Sequence, residues 1–381
     1  MHYHRMKRCL TAIRFLDGLC FYAPVALLVR TQMGITVSQF FTLQLILSLS
    51  ILLFEVPAGF LSDRIGYRKT MAISQGLMVL ARLLLLTAGN YPMFALEALV
   101  EGLVISLSSG TESAYLYSFC QGEDYALLSS RLGRAGTVGF LVSTVSYSVI
   151  LSLTSISGLV AATCIPTALS FLLTLTLPKE PEQPKEETQK VKIHLPRGSV
   201  PFFLLLSAIS MSYLVFNFFS AVKVERMGLP YESLTWIILA YSAMELLAPG
   251  ILRRIRIGAY SRAVTALLAL SGLLFLGIFL LDSIWCTVLL VVLPLALNLV
   301  STLADELLNE HVDHHGLGSH RAAVLSVFNM GNSLLEIGFL ALSAVIAENE
   351  GNAAFAFISL FLCAAAIMYL LHGKSSLQTS Q

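Results

Sequence analysis

Long apolar runs separated by short polar breaks dominate the chain, and the length of those runs decides its class. A helix needs about 20 consecutive apolar residues to cross a bilayer. Runs of that length predict helices at about 10–31, 36–59, 70–89, 92–117, 132–153 and 157–177 in the first half. The second half predicts helices at about 200–222, 230–252, 260–281, 285–306, 321–347 and 351–371. Between them, Pro178 to Ser199 is rich in Pro, Lys and Glu, too charged to insert, and reads as a flexible linker. The expectation is an all-α polytopic membrane protein of 12 transmembrane helices in two pseudo-symmetric six-helix bundles. The first bundle would cover 1–177, the cytoplasmic linker 178–199, and the second bundle with a short cytoplasmic tail 200–381.

Composition agrees. The 381 residues are 56% hydrophobic and 12% charged, against about 25% charged in soluble domains, and the mean hydropathy is +0.78. The dozen spans leave no room for a sizeable soluble domain. A net charge of +1 gives no reason to expect nucleic acid. The basic start, His2 to Arg8, precedes an apolar run with Asp17 inside it and no small-x-small cleavage site, so it reads as a first span rather than a signal peptide. Six cysteines are scattered, mostly inside spans, and suggest neither a disulfide framework nor a metal knuckle. No nucleophile elbow, phosphate loop or dinucleotide fingerprint is present, so enzymatic chemistry, ATP-driven pumping and a bound cofactor are not expected.

Charge asymmetry orients the chain. With the N-terminus inside, the cytoplasmic side collects most bases, among them Arg64, Arg68, Lys69, Arg131, Arg134, Arg253, Arg254 and Arg321. The outside keeps Arg30, Lys223 and Arg226, while Arg82 falls within a span. Both termini are therefore expected in the cytoplasm of a multi-pass protein of a cell membrane, bacterial inner or plasma.

The halves echo each other. Met33-Gly34-Ile35 recurs as Met227-Gly228-Leu229, and Pro57 to Gly66 has a worn counterpart in Pro249 to Gly258 that keeps bases and loses the acid. Thr111-Glu112-Ser113 matches Ala304-Asp305-Glu306 in order.

Between the second and third runs, Gly59, Asp63, Arg64, Gly66, Arg68 and Lys69 form a short hinge, with Tyr67 before the final basic pair. The stretch resembles the signature loop of major facilitator superfamily transporters, roughly Gly-x-x-x-Asp-Arg-x-Gly-Arg-Arg/Lys. Leu308 to His311 through Arg321 to Ser326 resembles the tenth-to-eleventh helix region of the same family. The resemblance implies alternating-access transport by two parallel six-helix repeats. It also implies that Asp63 is a cytoplasmic latch, engaging the other half near the electropositive start of the eleventh helix; topology alone is the plainer role for Asp63, Arg64 and Lys69. The fourth span lacks the arginine of many proton-coupled relatives, and the fifth lacks the Gly-Pro pair of drug–proton antiporters. Both departures weigh against proton antiport.

Ionisable residues inside a bilayer are costly and so have a partner or a task. Arg82 lies level with Glu97 and Glu101 of the antiparallel fourth span. Either the three form a structural ion pair, or Arg82 pairs with one acid while the other titrates or contacts cargo. In the eleventh span Asn329, Asn332 and Glu336 form a polar stripe near mid-bilayer, with Asn298 and Asn217 at similar depth. Asp17 and Glu245 lie about two turns from the cytoplasmic ends of their spans, where reaching interfacial water or a base is their plainer role. His311, His314, His315 and His320 near Asp313 lack the glutamate of a His-Glu-x-x-His site, so no metal is expected.

The expected pathway is Glu336, Asn332, Asn298, Asn217 and Glu101, with Arg82 setting the charge of the nearby acid and Glu97 and Asp17 as further members. The expected partners are a small solute, a coupling proton or cation, and the lipid bilayer. Export of an amphipathic or cationic compound leads because the buried charge is mostly acidic and aromatic side chains are available as walls. A nutrient importer, a lipid flippase and a non-transporting sensor or scaffold remain alternatives.

Overall fold

The structure is a computed structural model that describes residues 2–120, 123–181, 200–230, 233–245, 247–256, 259–314, 321–346 and 353–378. Among the described residues it is helical, without strands. Ten helical segments are long and apolar enough to cross a membrane, and Met330–Ala344 and Ala354–Met368 are shorter apolar stretches within two further helices. The chain divides into two compact units, Met1–Thr188 and Gln189–Gln381.

In the first unit the elements are α1 (His2–Gly18), a 3-10 turn (Ala23–Val25), α2 (Ala26–Gln32), α3 (Val37–Ile65), α4 (Tyr67–Thr87), α5 (Tyr91–Ser108), α6 (Thr111–Phe119), α7 (Glu123–Leu153) and α8 (Ile156–Leu175). The first predicted span is therefore not one helix. It breaks after Gly18 and restarts at Pro24 and Ala26, and the backbone groups freed by the break find new partners. Thr163 Oγ1 accepts from the Phe21 amide at 3.1 Å, and Ser143 Oγ donates to the Cys20 carbonyl at 3.2 Å. Such repair is what a break inside a bilayer requires, because no water is present to do it.

Gly18 also permits the contact that fixes this break. A Cβ there would lie 2.9 Å from the Phe140 amide and 3.0 Å from the Gly139 Cα, so α1 and α7 touch backbone to backbone. The α3–α5 pair is equally close: Gly102 faces Ser50, whose Oγ donates to the Leu99 carbonyl at 2.8 Å, and Ser106 Oγ donates to the Ile51 carbonyl at 3.1 Å. Small residues and hydroxyls are what bind helices in lipid, where apolar burial drives nothing. Large apolar residues such as Leu53, Phe60, Leu153 and Ile165 remain exposed, as a surface meant for acyl chains should.

The fourth predicted span is also two helices, α5 and α6, separated at Ser109-Gly110. Gly110 takes a φ of 70°, which favours glycine, and Thr111 Oγ1 donates to Ser62 Oγ at 3.0 Å just beyond the break.

The second unit contains α9 (Val200–Arg226), α10 (Ser233–Glu245), α11 (Ala248–Leu252), α12 (Tyr260–Leu280), α13 (Cys286–His314), α14 (Arg321–Ile346) and α15 (Ala353–Gln378). Here α12 meets α15 at Gly272, whose carbonyl accepts from Ser359 Oγ at 2.7 Å, and Phe203 of α9 fills the space above Gly331 of α14. The third echo between the halves differs in local structure. Ala304-Asp305-Glu306 sits in an unbroken α13, whereas Thr111-Glu112-Ser113 opens a new helix after Gly110.

Candidate functional site

The first unit buries two ion pairs around one tyrosine. Arg30 of α2 directs Nη2 at both carboxylate oxygens of Glu97 on α5, at 2.9 and 3.1 Å. Arg82 of α4 directs Nη1 at Glu101 Oε1 at 3.0 Å, and the same nitrogen donates to the Tyr22 hydroxyl. Arg30 is 5% exposed, Arg82 8% and Glu97 0%. The Tyr22 ring lies between the guanidiniums, 5.9 Å from that of Arg30 and 5.3 Å from that of Arg82; aromatic faces attract cations at such distances. The break after Gly18 is what puts Tyr22 there, and the four charges sum to zero.

The structure adds what the charge asymmetry, which counted Arg30 on the outside with Lys223, did not give: both bases are buried and paired. Lys223 donates to Asp282 at 2.6 Å and to the Phe279 carbonyl at 3.5 Å, closing the end of α12. This hydrogen bond holds the Asp282 carboxyl below its ordinary value of 3.8. For Arg30 the available signal was the cost of an arginine one turn inside a helical run, beside acids needing a second base.

Beneath the cluster lies a cavity of about 360 Å³ whose lining runs from Arg82 and Cys20 to Asp17 and Glu112. Asp17 is exposed, and its carboxylate faces this cavity. It accepts from Ser170 Oγ at 2.6 Å and from Gln75 Nε2 at 3.1 and 3.3 Å. Gln75 Oε1, fixed in orientation by that contact, is a buried acceptor without a hydrogen-bond donor, and Arg82 Nε likewise lacks an acceptor. Arg14, one turn from Asp17, is engaged by Glu112 at 2.5 Å. Met71, Met78, Val104 and Ile105 supply the apolar walls. The cavity thus presents one carboxylate without a salt-bridged base, a spare amide oxygen and an apolar wall.

The Gly59–Lys69 motif is not the loop its sequence suggests. Helix α3 runs through Gly59, Asp63 and Arg64 to Ile65, past Pro57, and only Gly66 departs from helical geometry, with φ at 94°. The bend is tied from outside. Glu180 packs against Gly66 and accepts from the Arg68 amide at 3.4 Å, Arg68 Nη2 donates to the Leu175 carbonyl at 2.7 Å, and the Tyr115 hydroxyl donates to the Pro178 carbonyl at 2.7 Å. Gly59 makes no close helix contact among the described residues: nothing lies within 4 Å of a Cβ built there. Asp63, Arg64 and Lys69 are exposed.

In the second unit, Asn298 of α13 hydrogen-bonds Glu245 of α10. Asn332 Nδ2 donates to Ser210 Oγ at 2.9 Å, leaving Asn332 Oδ1 buried without a donor. Glu336, one turn on, is half-buried and forms no ion pair among the described residues, and Asn217 is exposed. His311 packs on Phe202 with ring centroids 4.7 Å apart. His315, His320 and Gly258 lie outside the described residues. Among those described, no group of His, Cys, Asp or Glu could hold a metal ion.

The major facilitator superfamily family model matches residues 9–334. The chain belongs to the major facilitator superfamily. Solved transporters of this superfamily's shape resemble it over nearly full length. The nucleoside transporter NupG aligns with a TM-score of 0.73 at 15% identity, covering 96% of this chain and 98% of that one. The POT family transporter PepTSo gives 0.70 at 12% identity, with 98% of each covered. A bacterial homologue of the human lysosomal transporter Spinster, inward-facing and occupied, gives 0.65 at 15% identity, covering 99% and 98%. These likenesses carry the fold and nothing finer. No curated protein sequence matches.

Proposed function

We propose that this superfamily member is a secondary transporter that moves a small amphipathic organic cation by alternating access, with Asp17 as the charge that receives it. The observation that carries the reading is the balance of charge in the spans. The two acids of the tyrosine cluster are cancelled by arginines and Glu112 by Arg14, while Asp17 faces a cavity with only neutral donors on its carboxylate. An ammonium group would satisfy Asp17 and Gln75 Oε1 together, and the two methionines would adapt to an apolar body. Glu336 and Glu245, also without an ion-paired base among the described residues, extend the acidic bias to the second unit. Asp63 and its neighbours are assigned to gating, and Arg82 to orienting Glu101 rather than to holding cargo.

The test is counterflow in proteoliposomes against a panel of organic cations, anions and neutral solutes, in both membrane orientations so that direction is read as well. At least one amphipathic cation should exchange, and Asp17→Asn should abolish that exchange while Asp17→Glu keeps part of it. Exchange of neutral or anionic solutes alone, or full activity in Asp17→Asn, overturns the assignment.

A further inference from the structure

A second feature of the first unit lies on the opposite side of α1 from the Asp17 cavity. Helices α1 and α7 touch at Gly18, Gly136 and Gly139, and on the N-terminal side of that contact a groove of about 820 Å³ opens between them. Its walls are one face of each helix: His4, Lys7, Arg8 and Thr11 on α1, and Arg131, Arg134, Ala135 and Val138 on α7, at spacings of three and four residues that share a face. Lys7, Arg8, Arg131 and Arg134 bring four formal positive charges to this space. Among the described residues no acid lines it and none of the four is ion-paired.

Four like charges facing one groove repel one another, and an anion between them removes that cost. The groove also has a second chemistry. Toward the glycine contact it is floored by Ala12, Phe15 and Val138. Beyond it Val138, Val142, Val145 and Val149 are all exposed along one face of α7, at successive steps of four, three and four residues. A free phosphate has no use for that apolar continuation. A molecule with an anionic head and a hydrocarbon tail matches both ends in the order the helices present them, bases at the polar termini and valines deeper in the span. Basic pockets between transmembrane helices at the membrane surface are suited to anionic headgroups.

We propose that the α1–α7 groove is a binding site for an anionic phospholipid of the surrounding leaflet. Its phosphate is held by Arg131 and Arg134 from one side and by Lys7 and Arg8 from the other, and one acyl chain lies along Val138 to Val149. The site is independent of the solute cavity, since the two share neither a basic residue nor a helix face.

The experiment is native mass spectrometry of the purified full chain titrated separately with phosphatidylglycerol, phosphatidylcholine and inorganic phosphate. One phosphatidylglycerol should be retained in preference to phosphatidylcholine, with no retention of phosphate. Arg131→Gln/Arg134→Gln should weaken it about 10- to 30-fold, the loss expected for two interfacial cations, and Lys7→Gln/Arg8→Gln should do the same from the other wall. Arg131→Lys/Arg134→Lys should largely restore it, which guards against a folding defect. Arg253→Gln/Arg254→Gln, bases exposed in the second unit, should leave it unchanged. Equal retention of the two lipids, equal loss in the Arg253/Arg254 variant, or undiminished binding in both groove variants overturns the proposal. Binding of phosphate alone that matches the lipid assigns the groove to a free anion instead, and equally overturns it.

Discussion

The Arg30–Glu97 pair offers the sharpest quantitative test of how the first unit is held together. At 2.9 Å and an effective dielectric near 20, the two charges attract by about 5–6 kcal/mol, against which desolvation of each ion costs several kcal/mol. The net worth of the pair is therefore small, but the cost of breaking it is not. Arg30→Met leaves Glu97, with 1% of its side chain exposed, facing no dedicated base. Loss of one partner of a buried pair costs about 3–5 kcal/mol. The low end applies here, because Arg82 also acts on Glu97 and Glu101 also acts on Arg30. Glu97→Leu should cost a similar amount for the mirror reason. The double variant restores neutrality and should lose only about 0–2 kcal/mol, giving a coupling energy of at least about 2 kcal/mol across the cycle. Equilibrium unfolding of the four proteins in mixed micelles measures all three differences. Losses that simply add in the double variant would refute the idea that the cluster is stabilised by charge balance.

Three further outcomes follow from contacts already described. Gly139→Ala drives a Cβ into the Phe15 carbonyl and within 3.1 Å of the Gly18 Cα, so it should cost about 1–3 kcal/mol of overpacking, whereas Gly133→Ala in the same helix meets nothing and should gain about 0.5–1 kcal/mol in the same unfolding assay. The Asp282 carboxyl is held below its ordinary value, so its pairing with Lys223 stabilises fully above about pH 4 and is lost as pH falls through the lowered value. Asp282 is half exposed, so the contribution is roughly 0.5–1 kcal/mol after screening; Asp282→Asn should therefore flatten the acid limb of a melting-temperature profile and do little to its shape above pH 5. Asp63→Asn should slow counterflow while leaving solute affinity in a thermal-shift titration unchanged, and unaltered exchange rates would return Asp63 to a purely topological role.

Hydropathy made the spans legible, because a bilayer demands long apolar runs and tolerates little else. The same measure is blind to interruptions within a run. Leu19 to Tyr22 is as apolar as its flanks, so hydropathy passes over the break and only Gly18 and Pro24 mark it, while the Ser and Thr side chains that repair it are more than a hundred residues distant. The converse failure occurred at the motif: Gly59 to Arg64 looked like a turn because of its charges, yet each of its residues is acceptable in a helix, and the bend needs only Gly66. The spacing put Arg82 opposite Glu97 and Glu101, and the structure gives it Glu101. Arg30 and Lys223 could be given a side from charge alone but not a partner, since Glu97 and Asp282 lie 67 and 59 residues away and no local pattern connects them. Asp17 shows a different limit. Its place in the first run was readable, but the cavity it faces is lined by Gln75 and Met78, and its hydroxyl partner is Ser170, from helices no local pattern connects.

The interruption of the first span also has a mechanical side. Its two halves are fastened to different neighbours: α2 through Arg30 to α5, and α1 through its glycine contact to α7 and through Asp17 to Gln75 and Ser170. Between them the helical ladder is interrupted: short backbone bonds run from the Leu19 amide to Leu16, from Cys20 to Gly18 and from Ala23 to Cys20, and two side-chain splints come from α7 and α8. The span is therefore built as two rods and an elbow rather than as one beam. On the proposal that Asp17 receives the solute, an occupied site acts on α1 while the Arg30–Glu97 pair holds α2 to α5.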